Sequence, residues 1–169
     1  PSSARTQKVM LALSELNLTY EFIKASATMG PKGSVSRGKA PYGIVDTTEY
    51  LKKNPNGTIP TISDEGFILW ESNAIVQYLG MKYNPKLFYD ANIETFASAS
   101  RWMMWENNQL IPPMHDLAKH LYRLPENQRD ENVVRTSKEK LFLEFKKVET
   151  QLSKTRVYFW RPMVHGRYT

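Results

Sequence analysis

Several polar groups lie close together in residues 54–79 and together could hold one small ligand. Residues 57–60 form a turn into an extended X-Pro unit, whose backbone groups can pair with a peptide. Glu71 and Ser72 then supply a carboxylate and a hydroxyl at the predicted start of a helix. A carboxylate attracts an ammonium group, and a helix N-terminus attracts an anion. This combination predicts a site for a small zwitterionic ligand.

A β-hairpin is predicted between the X-Pro unit and the Glu-Ser pair. Two short apolar runs, residues 60–63 and 67–70, flank Asp64-Glu65-Gly66, and Gly66 suits the left-handed position of the turn. The helix that follows is predicted from the apolar positions Ile75, Tyr78 and Leu79, which recur at spacings of three and four.

The chain before this unit is predicted to form a helix over residues 1–16 and a strand over residues 19–23. Ser2 or Ser3 suits the N-cap of that helix. Residues 24–45 lack periodicity, which fits a functional lid or a tolerated surface insertion, and a capped helical turn is predicted at 46–51. The apolar stripe of the first helix consists of Val9, Ala12, Leu13 and Leu16.

The second half of the chain is predicted to be helical. A linker is expected at residues 83–90, followed by a long helix over 91–110 that Pro112-Pro113 ends. A short helix is predicted at 115–122 and a longer one at 130–153. The proposed stripe of the first long helix is Ile93, Phe96, Ala97, Ser100 and Met104, and that of the last is Val134, Leu141, Phe145, Val148 and Leu152.

Composition excludes several classes of protein. The 169 residues are 41% apolar and 12% aromatic, which supports a packed core, and no apolar run is long enough for a membrane span. The net charge of +6 favours anionic small molecules, whereas nucleic acid is not an expected partner because the basic clusters lack interleaved aromatic residues. The chain has no cysteine, which rules out disulfides and protein-thiol redox chemistry. The spacing of the three histidines does not predict a metal site.

Four segments resemble the soluble glutathione transferases, specifically the serine-type theta-like or bacterial members. They are QKVMLALSELNLTYE at 7–21, NPNGTIPTI with GFILWESNAIVQYL within 54–79, RWMMWENNQL at 101–110 and RLPENQRD at 123–130. The resemblance implies an α+β thioredoxin-like domain with a mixed sheet over residues 1–82. An all-α helical-bundle domain over 91–169 would follow the linker. Most of the family's first strand is missing and its last helices have no counterpart here, so the sequence is expected to be truncated at both ends.

The resemblance also implies the roles of individual residues. Glutathione would bind as co-substrate to Thr58, Ile59, Pro60, Glu71 and Ser72, with the Ile59-Pro60 bond cis and the Ile59 backbone pairing with the cysteinyl residue. Glu71 would meet the γ-glutamyl ammonium, and Ser72 the γ-glutamyl carboxylate, although Ser72 alone also fits a plain N-cap. Some members carry a histidine where this chain has Gly57.

Thiol activation is assigned by the resemblance to Ser3, with Ser2 as the alternative and pure capping as the competing role. Because the chain has no cysteine, the cysteine-dependent branches of the family are disfavoured. The pocket for the electrophile is expected between the domains. Its candidate residues are Arg101, Trp102, Met104 and Trp105, any of which also fits simple core packing.

The leading function that the resemblance implies is glutathione transfer to small electrophiles, or a related glutathione-dependent dehalogenation, isomerisation or peroxide reduction, by a cytoplasmic homodimer. The alternative is a non-catalytic binding or interaction protein that keeps the same fold. A basic nucleic-acid binder is a third class, which a steep loss of affinity with salt would reveal.

Overall fold

The computed structural model describes residues 3–25, 43–86 and 91–154. An α+β unit comes first and a helical unit follows. The first unit contains α1 (Ala4–Glu15), α2 (Thr48–Lys53), β1 (Thr61–Asp64), β2 (Phe67–Trp70) and α3 (Ser72–Tyr83), and the second contains α4 (Ile93–Trp105), α5 (Ile111–Ala118) and α6 (Glu131–Lys154). Within the described residues, none of these helices is long and apolar enough to cross a bilayer.

The predicted hairpin is confirmed. Strands β1 and β2 pair antiparallel, with Thr61 opposite Trp70 and Asp64 opposite Phe67. Glu65 and Gly66 connect them, and both have positive φ, 51° and 87°. Two successive left-handed residues match the twist of the paired strands, which is why Gly66 is suited to this turn.

Helix α1 begins at a serine, as predicted. The Ser3 side chain is the N-cap and accepts a hydrogen bond from the Thr6 backbone N–H at 3.3 Å. At the other end Asn17 has φ of 53°, and Leu18 N–H donates to the Leu13 carbonyl. This is the Schellman arrangement, which satisfies carbonyls at the end of the helix and turns the chain away.

The main core of the α+β unit lies between α1 and α3. It consists of Val9, Ala12, Leu13, Ile75, Val76 and Leu79, with Met103 of α4 packed against it. Ile75 is fully buried, and the predicted stripes of both helices are therefore confirmed at these positions. A second small cluster joins Val45 and Tyr50 to Ile59, which ties α2 to the turn before β1.

The strand predicted at residues 19–23 is wrong. This segment forms no strand, and Tyr20, Phe22 and Ile23 are exposed. A β-rich sequence forms a strand only where a neighbouring strand accepts its hydrogen bonds. The sheet of the described residues contains only β1 and β2, so it is an antiparallel pair rather than a mixed sheet. Most of the loop predicted at 24–45 lies outside the described residues.

The prediction that Pro112-Pro113 ends the helical segment is wrong, because the chain continues as helix through both prolines. A π-helical turn, Glu106–Leu110, follows α4, and the prolines then occupy the first turn of α5. Ile111 N–H bonds to the Glu106 carbonyl, and a proline is accepted in a first turn because its missing N–H has no partner there in any case. The short helix predicted at 115–122 is α-helical only to Ala118, and a second π-helical turn, Lys119–Arg123, follows it.

The predicted stripes of the long helices are only partly buried. Leu141 of α6 is buried, but Phe145 and Leu152 are each 52% exposed. In α4, Ile93 and Met104 are exposed, whereas Met103 faces the α1–α3 core. Phe96 and Ser100 of the predicted stripe are half-buried, but Met103 and not Met104 continues the stripe at the contact between the two units.

Candidate functional site

The X-Pro turn is held by two side chains that the sequence interpretation did not single out. The carbonyl of Thr58 accepts hydrogen bonds from the Tyr50 hydroxyl at 2.7 Å and from Asn54 Nδ2 at 2.9 Å. Asn54 is fully buried and also donates to the Thr61 hydroxyl at 3.0 Å. These bonds fix the chain on both sides of the Ile59-Pro60 peptide bond, which is cis as predicted.

The backbone of Ile59 is open to a partner. Within the described residues, its N–H and its carbonyl make no hydrogen bond, although Thr58 before it is doubly bonded. Ile59 is half-buried, and an unpaired donor and acceptor on one such residue form an edge that an extended peptide can complete.

Glu71 has an unusual backbone conformation at the start of α3. Its φ is 71° and its ψ is 112°, which a non-glycine residue adopts only at a cost of about 1–3 kcal/mol. Its carbonyl accepts from Ile75 N–H, but its side chain does not cap the helix. Strained residues of this kind cluster at active sites and ligand-binding sites. The Glu71 carboxylate is exposed, so it is accessible to a ligand.

Ser72 is the first residue of α3, so the plain N-cap role is wrong: the N-cap is Glu71. Ser72 is 3% exposed, and its hydroxyl has no hydrogen-bond partner among the described residues. The first turn of α3 also carries no acidic side chain. The positive end of the helix is therefore available to an anionic group, with one hydroxyl beside it.

Ser3 is half-buried at the N-terminus of α1, where its Oγ accepts from Thr6 N–H. A serine hydroxyl has one proton to donate in addition to its lone pairs. Capping the helix therefore leaves the Ser3 proton free, and the two roles are compatible. Ser2 lies outside the described residues.

A polar seam of three residues, Lys8, Asn73 and Glu106, links α1, α3 and the π-helical turn after α4. Lys8 Nζ lies 2.7 and 2.8 Å from the two carboxylate oxygens of Glu106 and 2.6 Å from Asn73 Oδ1. Asn73 Nδ2 donates to Glu106 Oε2 and to the Met103 carbonyl, both at 2.9 Å. Sequence reasoning missed this seam because nothing in the local pattern connects residues so far apart.

The four candidates for the electrophile pocket divide into two groups. The rings of Trp102 and Trp105 meet edge to face, 5.1 Å apart, and line a cleft of about 450 Å³. Ser98 of α4 and three residues of α6, Val148, Gln151 and Leu152, complete its walls. Arg101 lies 6.0 Å from the Trp102 ring, while Met104 is exposed, and neither lines the cleft.

A charged cluster ties the hairpin to the C-terminal end of α3. The Asp64 carboxylate accepts from the hydroxyls of Tyr78 and Tyr83 and from Lys82. Desolvation raises the Asp64 pKa, but the hydrogen bonds from Tyr83, Lys82 and Tyr78 outweigh it, so the pKa falls below its usual 3.8. Hydrogen bonds to Glu65 and then Asp64 raise the Lys82 pKa, and the bond to Asp64 raises that of Tyr83. This cluster stabilises the hairpin and lies outside the candidate site.

The fold and this site define an α+β, thioredoxin-like unit with a small antiparallel sheet, followed by a helical unit. The N-terminal domain of glutathione S-transferases matches residues 1–87. The chain is 32% identical over 157 residues to the glutathione S-transferase GstB of Escherichia coli K12, covering 92% of this chain and 69% of that protein. It belongs to the glutathione S-transferase family, a family of transferases whose co-substrate is glutathione.

Two further comparisons agree with this assignment. A probable glutathione S-transferase of Oryza sativa, GSTF2, is 28% identical over 152 residues, which cover 88% of this chain and 65% of that protein. The crystal structure of the theta-class glutathione S-transferase of Xanthomonas axonopodis pv. citri with glutathione bound superposes with a TM-score of 0.75 at 29% identity. That superposition covers 90% of this chain and 67% of the other.

Proposed function

We propose that this chain binds glutathione across the Ile59 edge and the N-terminus of α3 and transfers it to small electrophiles. The observation that carries the proposal is the unpaired backbone of Ile59 beside the cis Ile59-Pro60 bond. The cysteinyl residue of glutathione pairs with that N–H and carbonyl as one more antiparallel strand. Thr58 serves by its position, because its carbonyl is held by Tyr50 and Asn54.

The γ-glutamyl end of glutathione is zwitterionic, and α3 begins with groups of matching charge. The Glu71 carboxylate receives the ammonium group. The Ser72 hydroxyl and the N–H groups of the first turn receive the carboxylate, a contact that the N-terminus of a helix favours by about 0.3–1 kcal/mol. Ser72 supports this role because its hydroxyl has no partner among the described residues.

Ser3 activates the thiol. The pKa of a free thiol is ~8.5 and must fall by about two units for the thiol to be mostly ionised at neutral pH, which corresponds to roughly 2.7 kcal/mol. A hydrogen bond from the Ser3 hydroxyl to the thiolate contributes about 1.5–3 kcal/mol, and the N-terminus of α1 adds about 0.3–1. These contributions together are sufficient for activation. The thiol proton leaves to solvent, and the thiolate attacks the electrophilic carbon; with an aryl halide the new C–S bond replaces the carbon–halogen bond, and halide leaves to solvent.

The electrophile is proposed to contact Trp102 and Trp105 of α4, which line the cleft, whereas the other two candidates, Arg101 and Met104, lie outside it. The aromatic cleft beside Trp102 and Trp105 suits an apolar or aromatic substrate, but it lies between α4 and α6 and not between the two units, where the pocket was expected. We also propose a cytoplasmic homodimer on the strength of the family, and light scattering of the purified chain measures the dimer directly.

Retention on immobilised glutathione tests binding, and conjugation of a chromogenic aryl halide tests transfer. The wild-type chain is expected to be retained and to conjugate. Glu71→Gln and Ser72→Ala are expected to weaken retention, whereas the matched control Glu49→Gln removes an exposed carboxylate of α2 and is expected to behave as wild type. A folded wild-type chain that is not retained contradicts the binding proposal, and retention without conjugation favours the non-catalytic alternative.

A further inference from the structure

We propose that Lys8, Asn73 and Glu106 are positioning residues that hold the γ-glutamyl subsite at the first turn of α3. This inference rests on the proposed function, because it concerns the same site. The three residues do not need to touch glutathione. They set where Ser72 and Glu71 lie relative to α1, and so they set the affinity for the γ-glutamyl group.

The first step of the argument is the place of Asn73 in α3. It follows Ser72 directly and is 8% exposed, and both the oxygen and the nitrogen of its side-chain amide form hydrogen bonds. Its Oδ1 accepts from Lys8, and its Nδ2 donates to Glu106 and to the Met103 carbonyl. A buried amide with its partners fully satisfied holds the backbone on which it stands. The N–H groups of the first turn of α3 are therefore fixed by bonds that come from α1 and α4.

The second step is the place of Lys8 in α1. Lys8 follows Ser3 by five positions, which is roughly 7.5 Å along a helix axis at about 1.5 Å per residue. Its ammonium group binds both oxygens of Glu106, and the side chains of this ion pair are 29% and 24% exposed. The seam thus joins the helix that begins at Ser3 to the helix that begins at Ser72. Because glutathione is proposed to contact both helix ends at once, its binding depends on the distance between them.

The third step is the place of Glu106 in the helical unit. It is the first residue of the π-helical turn that follows α4, and π-helical turns occur frequently at functional sites. The Glu106 carboxylate therefore connects both helices of the candidate site to the π-helical turn that follows α4. A purely structural ion pair explains the contact of the two units, but it does not explain why Asn73, the neighbour of Ser72, lies at the centre of the bonds.

The test compares glutathione binding and turnover in Asn73→Ala, Lys8→Met and the isosteric Glu106→Gln. We expect each to raise the KM and Kd for glutathione by about tenfold while kcat at saturating glutathione and its pH profile stay near wild type, the pattern for loss of binding that is equal in ground and transition states. Lys8→Arg keeps the positive charge and is expected to retain most of the wild-type affinity for glutathione. The control Lys147→Met removes an exposed lysine that pairs with Glu144 on α6, and it is expected to leave KM unchanged.

The outcomes separate this inference from the proposed function. Seam variants that unfold more easily but bind glutathione with wild-type affinity when folded overturn the inference, because the seam then only joins the two units. Variants that lower kcat or shift its pH profile with KM unchanged also overturn it. If the wild-type chain itself does not bind glutathione, the proposed function is overturned, and the inference with it. Glu106→Gln keeps the packing of the seam, so the comparison survives if Asn73→Ala does not fold.

Discussion

Replacement of Ser3 separates helix capping from thiol activation, because the two roles respond differently to different side chains. Ser3→Ala removes both the N-cap acceptor for Thr6 N–H and the proposed hydroxyl donor to the thiolate. Loss of a serine N-cap to alanine costs about 1 kcal/mol of unfolding free energy, whereas replacement by glycine costs only a few tenths. Ser3→Gly therefore tests the hydroxyl with little effect on stability, and Ser3→Thr keeps the hydroxyl.

The expected loss of activity follows from the hydrogen bond to the thiolate. Removing about 1.5–3 kcal/mol of stabilisation raises the pKa of bound glutathione by about one to two units, since one unit corresponds to about 1.36 kcal/mol. Below that pKa, Ser3→Gly and Ser3→Ala are expected to conjugate about 10- to 100-fold more slowly than wild type with a nearly unchanged KM for glutathione.

The assay is the conjugation rate with a chromogenic aryl halide at saturating glutathione. It is measured from about pH 5.5 to about pH 9, a range that includes the ordinary thiol pKa of ~8.5. The rates of the variants should approach that of wild type at high pH, where the thiol ionises without help. A Ser3→Gly variant with the wild-type rate and pH profile refutes the reasoning, and Ser3 is then only a cap.

Three further predictions concern stability and are each measured by urea unfolding. Asp64→Asn should be destabilised at neutral pH. Because the Asp64 pKa is lowered in the folded chain, the contribution of Asp64 to the free energy of unfolding is present above the usual pKa of 3.8 and is lost as pH falls through the folded pKa. The stability difference between Asp64→Asn and wild type should therefore shrink in acid. A difference that stays constant with pH contradicts this prediction. Ile75→Ala should cost about 2–5 kcal/mol, because Ile75 is fully buried between α1 and α3, and a cost below about 1 kcal/mol would mean that this core is loosely packed. Thr6→Val should be neutral or stabilising by about 1 kcal/mol, because the buried Thr6 hydroxyl has no hydrogen-bond partner within the described residues, and a clear loss of stability would point to a partner for that hydroxyl.

The parts of the site that depend on neighbours in sequence were predictable. The hairpin follows from two apolar runs around Glu65-Gly66, and the helix after Glu71 follows from its apolar spacing. The cis Ile59-Pro60 bond was expected from the family resemblance, since an X-Pro bond alone permits cis without requiring it. Local turn chemistry and helix periodicity thus account for the frame of the site.

The parts that depend on distant partners were not predictable. Residues 19–23 have β-rich composition, but a strand needs a neighbour, and none pairs with them in the described part of the chain. The bond between Lys8 and Glu106 joins positions 98 residues apart, and each residue alone is an ordinary helix surface charge. The positive φ of Glu71 is also invisible in sequence, because its residue type disfavours that conformation.

The most direct test of the central claim is the affinity that the γ-glutamyl group adds, measured by calorimetric titration with glutathione and with cysteinylglycine. If α3 begins with the γ-glutamyl subsite, the wild-type chain binds glutathione much more tightly than cysteinylglycine. In Glu71→Gln and Ser72→Ala that difference shrinks, while the affinity for cysteinylglycine stays the same. If the two ligands bind wild type equally, or if the variants lose affinity for both ligands alike, the assignment of Glu71 and Ser72 is wrong.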